Sequence, residues 1–128
     1  MDAGQEDMGK FSVEKGKRFE RELVQVFADA VPGARVSRGF QYRNGAEAPD
    51  VDIPGFWLEA KVGGRVDFRK ALRQATAAAR AGRWPLVVAK EDYQTPVVVM
   101  ALPDFLPFYR QWYAGRVGQD INMKEIGQ

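Results

Sequence analysis

Three stretches of the chain carry apolar residues at the three- and four-residue spacing that predicts amphipathic helices. The first covers 12–30 and begins at Ser12, a suitable N-cap residue. The second covers 68–82 and the third covers 104–114. Residues 1–11 show no such period, so we expect them to form a mobile arm.

Shorter apolar or alternating segments between these helices predict five strands. The dipeptide Pro54-Gly55 separates two of them and predicts a tight turn that joins them as a hairpin. The last two strands are rich in valine and are expected to be buried. The five predicted strand segments are 34–42, 51–53, 56–62, 85–90 and 96–102.

The predicted order is α-β-β-β-α-β-β-α, which indicates an α/β fold with a mixed central sheet flanked by helices. A chain of 128 residues is the size of one domain. We expect that domain over 12–115, with 116–128 as a C-terminal tail.

The amino-acid composition limits which catalytic and metal-binding groups the protein can use. Cysteine and histidine are both absent, which excludes disulfides, thiolate or imidazole zinc sites, and nucleophiles activated by histidine. Catalysis would have to use carboxylates, lysine or a metal. No apolar run is long enough to cross a membrane and the N-terminus is polar, so we expect a cytoplasmic protein with no membrane partner.

Charge is concentrated in one part of the chain. The net charge is only +2, but 61–83 contains seven Lys or Arg and one Asp, a local balance of +6. This stretch suits binding to phosphates, although a solvated helix face would have the same composition.

The predicted hairpin brings acidic residues together. With Pro54-Gly55 in the turn, Asp50 falls opposite Glu59 on one sheet face, with Cβ atoms about 4.5–5.5 Å apart. Lys61 projects to the same face because the strand period is two. Asp52 also lies on this face and would replace Asp50 if the turn were longer.

Two opposed carboxylates repel each other unless a cation lies between them. Mg²⁺ prefers such hard oxygen ligands and keeps water and substrate phosphate in its shell, which suits phosphodiester hydrolysis. A neighbouring lysine can orient the attacking water or neutralise charge on the phosphoryl oxygens. The alternative is an ordinary cross-strand ion pair on an exposed strand.

Glu20 is a second candidate, because Val24 and Phe27 follow it on an apolar flank of the first helix. A partly buried carboxylate needs a partner such as a metal, a metal-bound water or an arginine. A local ion pair with Lys17 or Arg21 is the alternative.

Four motifs in order resemble the archaeal-type Holliday junction resolvases of the PD-(D/E)XK nuclease superfamily. The segment 15–23 looks like the helix-one signature, and Ser37-Arg38-Gly39 resembles the segment that lies near the scissile phosphate. Asp50 followed by Glu59-Ala60-Lys61 resembles the catalytic aspartate and E-x-K motif, and 85–90 resembles the later core strand.

This resemblance implies a restriction-endonuclease-like core, Mg²⁺ or Mn²⁺ as cofactor without an organic cofactor, and a homodimer that nicks opposed strands of a four-way DNA junction. The implied catalytic residues are Glu20, Asp50, Glu59 and Lys61, of which the three acids would bind the metal. The predicted DNA-binding residues are Arg38, Arg65, Arg69, Arg73 and Gln74.

Two further functions are compatible with the sequence. A related nuclease could act on duplex ends, flaps or a restriction site, and a non-catalytic module could bind DNA with the same basic surface. The surplus of aromatic residues in 105–113 exceeds what one face of a short helix can bury, and we expect part of it at a subunit interface.

Overall fold

The computed structural model of the chain describes residues 3–39 and 48–117, with side chains from residue 9 onward. Within those ranges it contains three helices and five strands in the predicted order. The elements are α1 (Ala3–Ala30), β1 (Ser37–Arg38), β2 (Val51–Ile53), β3 (Phe56–Gly63), α2 (Phe68–Ala78), β4 (Trp84–Glu91), β5 (Val97–Val99) and α3 (Leu102–Val117).

The strands form one mixed sheet in the spatial order β1-β2-β3-β4-β5. Among the strands that the structure describes, only β3 and β4 run parallel, and α2 supplies the crossover that a parallel pair requires. In the hairpin, Ile53 is opposite Phe56 and Asp52 is opposite Trp57, which is the predicted register. The predicted α/β class with a mixed sheet is therefore confirmed.

α1 and α2 cover opposite faces of the sheet. On one face, Phe19 and Leu23 of α1 pack against a core of strand residues. On the other face, Ala71 and Ala75 of α2 pack against strand β4. The buried strand residues on the α1 face are Val51, Ile53, Leu58, Leu86 and Val88, and those on the α2 face are Val87 and Ala89.

The alternation of side chains along β3 then determines where its polar residues lie. Leu58 is fully buried on the α1 face, with Phe56, Ala60 and Val62 packed beside it. The intervening residues, including Glu59 and Lys61, therefore lie on the α2 face.

α3 is attached to the sheet by an aromatic cluster. The ring of Phe108 lies 5.2 Å from that of Phe56 and 4.7 Å from that of Trp84, measured between centroids. The other aromatic side chains of the helix are between 45% and 57% exposed: Phe105, Tyr109, Trp112 and Tyr113. None of the helices that the structure describes has the length and apolar character needed to span a bilayer.

Several predicted elements differ from the structure, and α2 ends at Ala78 rather than at Gly82. α1 begins at Ala3 rather than at Ser12. β1 has two residues, and positions 40–42 of its predicted range lie outside the described residues, as do 118–128 of the predicted tail. β5 is an exposed edge strand rather than a buried one, since it pairs only with β4 and Val98 is 62% exposed.

Candidate functional site

The hairpin brings two carboxyl groups into contact. Asp50 immediately precedes β2 and Glu59 lies in β3, and their carboxyl groups form a hydrogen-bonded pair, here called the carboxyl pair. Hydrogen bonds to β3 fix both the backbone and the side chain of Asp50. Its backbone N donates to the Leu58 carbonyl at 3.0 Å, and its Oδ2 accepts from the Ala60 backbone N at 2.9 Å. The predicted meeting of Asp50 with Glu59 is therefore present in the structure.

Gly39 determines how closely β1 approaches the segment that carries Asp50. Its backbone N donates to the Asp50 carbonyl at 3.1 Å. A Cβ atom at this position would lie 1.7 Å from the Pro49 carbonyl oxygen, so any larger residue would force the two segments apart. The Ser37-Arg38-Gly39 motif thus helps to place Asp50 through its glycine.

The carboxyl pair has unusual electrostatics. The pKa of Glu59 is raised from 4.5 to about 7, chiefly by burial and also by the hydrogen bond and the negative charge of Asp50. Two groups oppose this shift: the Trp57 indole, whose Nε1 donates to Glu59 Oε1 at 3.0 Å, and the positive charge of Lys61. The pair therefore retains a proton near neutral pH, where two isolated carboxyl groups would both be ionised.

A proton held between two carboxyl groups occupies a position that a divalent cation can take. Mg²⁺ is commonly bound by one or two carboxylates, with waters and substrate phosphates as its other ligands. Asp50 and Glu59 provide such a donor set, and the indole of buried Trp57 orients one of the oxygens. The residues of the carboxyl pair fit Mg²⁺ or Mn²⁺.

The raised pKa of Glu59 predicts that the metal-free protein loses stability as the pH rises. Folded Glu59 binds its proton more tightly than the unfolded chain does. This difference stabilises the folded state fully below pH 4.5, and the stabilisation is lost as the pH rises through about 7. Since the side chain is partly exposed, we expect a loss of about 1–2 kcal/mol between pH 5.5 and 8.

Thermal or urea unfolding in EDTA at the two pH values measures this loss, with Glu59→Gln as the matched variant. The variant has no titrating group at this position, so its stability should change less over the same interval. Equal pH dependence in the two proteins would show that Glu59 titrates normally.

A groove lies beside Lys61, between the end of β3 and α2. Its volume is about 270 Å³, and four of the side chains that line it are basic or carry an amide. These are Lys61, Arg65, Lys70 and Gln74; the remaining lining residues are Val62, Val66, Asp67 and Ala71. We call this feature the basic groove. Three positive charges in a concave site provide favourable contacts for phosphate groups.

The basic groove contains two of the residues predicted to bind DNA, Arg65 and Gln74. Lys70 lines it with them, because it lies one turn before Gln74 on the same side of α2. Arg69 lines a different cavity, beside Leu102 and Pro103. Arg73 follows Arg69 by one turn and is exposed. The sequence spacing of Lys70 and Gln74 could have identified this pair.

Glu20 is placed apart from the carboxyl pair. Arg38 donates to Glu20 Oε1 from Nε at 3.2 Å and from Nη2 at 3.1 Å. Arg38 is opposite Val51, whose side chain packs under α1, so this ion pair lies on the α1 face. The partner of Glu20 is therefore an arginine, which is one of the three kinds of partner that the sequence predicts for it.

This placement of Glu20 differs from the predicted metal site, in which Glu20 joins Asp50 and Glu59. Lys61 and the carboxyl pair lie on the α2 face, whereas Glu20 and Arg38 meet on the α1 face. Among residues 9–39 and 48–117, no three acidic side chains are grouped closely enough to hold a metal ion. The structure thus brings together Asp50 and Glu59 but does not bring Glu20 to them, and Arg38 does not line the basic groove.

Asp52, the alternative to Asp50, has a different partner. Arg83 donates from Nη1 to Asp52 Oδ1 at 2.8 Å, and the side chain of Asp52 is 46% exposed. Asp50 is therefore the aspartate that contacts Glu59, while Asp52 forms an ion pair with the residue that precedes β4.

Comparison of the chain with protein-family models, with curated proteins and with solved structures found no match. The likeness to Holliday junction resolvases consequently remains one of short motifs. Any function has to be inferred from the residues and geometry of the site.

Proposed function

We propose that the chain is a Mg²⁺- or Mn²⁺-dependent DNA endonuclease with a restriction-endonuclease-like core. The observation that carries this proposal is the contact between the Asp50 and Glu59 carboxyl groups, with Lys61 close enough to act on the charge of Glu59 and also in the lining of the basic groove. Carboxylates, a lysine and a phosphate-binding surface are the parts that metal-dependent phosphodiester hydrolysis requires.

Each residue has a separate task in this proposal. Asp50 and Glu59 would hold the cation, which would supply Lewis-acid polarisation of the phosphate and of an attacking water. Trp57, which is itself buried, keeps the Glu59 carboxylate oriented through its indole N–H. The Lys61 ammonium neutralises negative charge that develops on the phosphoryl oxygens.

The basic groove extends the site along the DNA backbone. Lys61 lies near Glu59 and also lines the groove. A phosphate bound by Arg65 and Lys70 would therefore lie next to the phosphate that is cut. Contacts with the adjacent phosphate would then position the scissile phosphate, and this positioning requires no contact with bases.

The substrate we propose is a four-way DNA junction, nicked on two opposed strands by a homodimer. The support is the set of resolvase-like motifs together with symmetry. The described part of the chain has one carboxyl pair, and a two-fold dimer would provide two for a substrate of matching symmetry. The exposed aromatic side chains of α3 provide an apolar surface that a dimer would bury.

If α3 forms the dimer interface, Trp112→Glu should convert the dimer to a monomer. A charge at the centre of an apolar interface is left desolvated, and truncation of a tryptophan that is a binding hot spot costs about 2 kcal/mol or more. Light scattering coupled to size-exclusion chromatography should report about twice 14.4 kDa for the wild type and 14.4 kDa for the variant. Phe11→Glu, which alters an exposed aromatic residue of α1, is the control and should remain dimeric. A monomeric wild type at micromolar concentration would contradict the dimer.

The substrate is tested by incubating the chain with Mg²⁺ and either a synthetic four-way junction or a linear duplex of the same sequence. Paired symmetric nicks near the centre of the junction, at a higher rate than cutting of the duplex, are expected. Equal rates on the two DNAs would contradict the junction substrate and leave a nuclease of broader specificity. Binding without cutting of either would contradict the nuclease and indicate a DNA-binding module.

A further inference from the structure

A short turn follows β4 at the end of the sheet where the basic groove lies. β3 and β4 are parallel, and Gly63 at the end of β3 is opposite Glu91 at the end of β4. Glu91 Oε2 accepts from the backbone N of Val66, a residue of the groove lining, at 2.9 Å. The turn is therefore adjacent to the segment that carries Arg65.

This turn is held firmly. Gln94 N donates to the Glu91 carbonyl at 3.0 Å, which closes a four-residue turn over 91–94. Asp92 N donates to the Gly63 carbonyl at 2.9 Å, and the Asp92 carboxylate forms an ion pair with Lys15 of α1. The turn is thus tied to the strand beside it, to the groove segment and to a helix.

Tyr93 occupies the third position of the turn, and two of its properties are unusual together. Its φ is 64°, in the left-handed region where glycine or asparagine is the ordinary choice. Its side chain is also 100% exposed, so the ring gains nothing from burial that would offset the unfavourable backbone. Folding therefore does not account for a tyrosine here.

We propose that Tyr93 is a base-stacking residue that selects DNA with an unstacked base next to the cut phosphate, an inference that rests on the proposed nuclease function. The turn presents the ring to solvent at the end of the sheet where Glu91 is hydrogen-bonded to Val66 of the groove lining, and aromatic rings stack on nucleic acid bases of any sequence. Bases within continuous duplex already have both faces covered, whereas a base at a branch point or flap has one open.

The proposal is tested by fluorescence anisotropy with two DNAs of matched sequence, one a continuous duplex and one a four-way junction. EDTA in the buffer prevents cutting. Tyr93→Gly should weaken junction binding about tenfold or more and duplex binding less than twofold, because base-aromatic stacking is lost only where a base is open. Tyr93→Phe keeps the ring and should bind both DNAs as the wild type does.

Two controls separate the ring from the backbone. Tyr93→Asn also suits the left-handed conformation and should lose junction binding as Tyr93→Gly does, while both variants gain about 2–5 °C in Tm. Phe11→Ala removes an exposed aromatic residue of α1 and should leave binding unchanged. Junction binding by Tyr93→Gly at the wild-type affinity would overturn the role of Tyr93 while the nuclease proposal stands. A wild type that binds neither DNA would overturn both.

Discussion

Glu59→Gln should lower the rate of single-turnover DNA cleavage by about a thousandfold or more, with DNA affinity nearly unchanged. The variant removes one of the two carboxylates proposed to hold the cation, and interactions of that kind stabilise the transition state rather than the bound substrate. Lys61→Ala should reduce the rate by about 10²–10³-fold, because a positive charge next to the developing phosphoryl charge is lost. Rates are read from labelled DNA at saturating protein and Mg²⁺.

The two aspartates of the hairpin provide the matched control for this prediction. Asp50→Asn alters the residue that contacts Glu59, and should be as inactive as Glu59→Gln. Asp52→Asn alters a residue on the same strand face that is paired with Arg83, and should cut at close to the wild-type rate. Inactivity of Asp52→Asn alone would mean that the wrong aspartate has been placed in the site.

Arg65→Ala combined with Lys70→Ala is expected to weaken DNA binding about tenfold or more at moderate salt. If each side chain contacts one phosphate through the basic groove, the slope of log affinity against log salt should fall by about 1.8. Binding of labelled duplex between low and moderate salt measures both effects.

Arg69→Ala combined with Arg73→Ala removes the same amount of charge from the same segment of the chain. Neither residue lines the basic groove, so the slope should change much less. Equal effects from the two double variants would mean that the whole positive surface of α2 attracts DNA and that the groove has no particular part in binding.

Local patterns were sufficient to predict the centre of the site. The Pro54-Gly55 turn specifies the hairpin register, and the alternation of apolar residues in β3 specifies which face carries Glu59 and Lys61. Both features depend on residues within a dozen positions of each other. The contact between Asp50 and Glu59 follows from them directly.

The partner of Glu20 depends on contacts between distant parts of the chain. Helical periodicity shows that Glu20 flanks an apolar stripe, but it does not show which sheet face that stripe covers. In the structure α1 covers the face of Val51, so Glu20 meets Arg38 instead of the carboxyl pair. For the same reason the sequence could not distinguish Lys70 from Arg69, which are adjacent in α2 but line different cavities.

The exposed edge strand β5 shows that composition alone does not predict whether a strand is buried. Three consecutive valines in β5 predict burial, since such runs are common in central strands. The strand instead pairs on one side only, with β4, and Val97 and Val98 remain exposed. A hydrophobic run therefore predicts a strand more securely than it predicts the strand's position in the sheet.

The dependence of DNA cleavage on Mg²⁺ tests the central claim most directly. Wild-type protein and Glu59→Gln, purified side by side, are incubated with a labelled four-way junction in EDTA and then at increasing Mg²⁺ concentrations. The proposed site predicts no cleavage in EDTA, a wild-type rate that rises with Mg²⁺ and saturates, and almost none from the variant throughout. Cleavage by the wild type in EDTA, or equal rates from the two proteins with Mg²⁺, would contradict a metal-dependent nuclease site at Asp50 and Glu59.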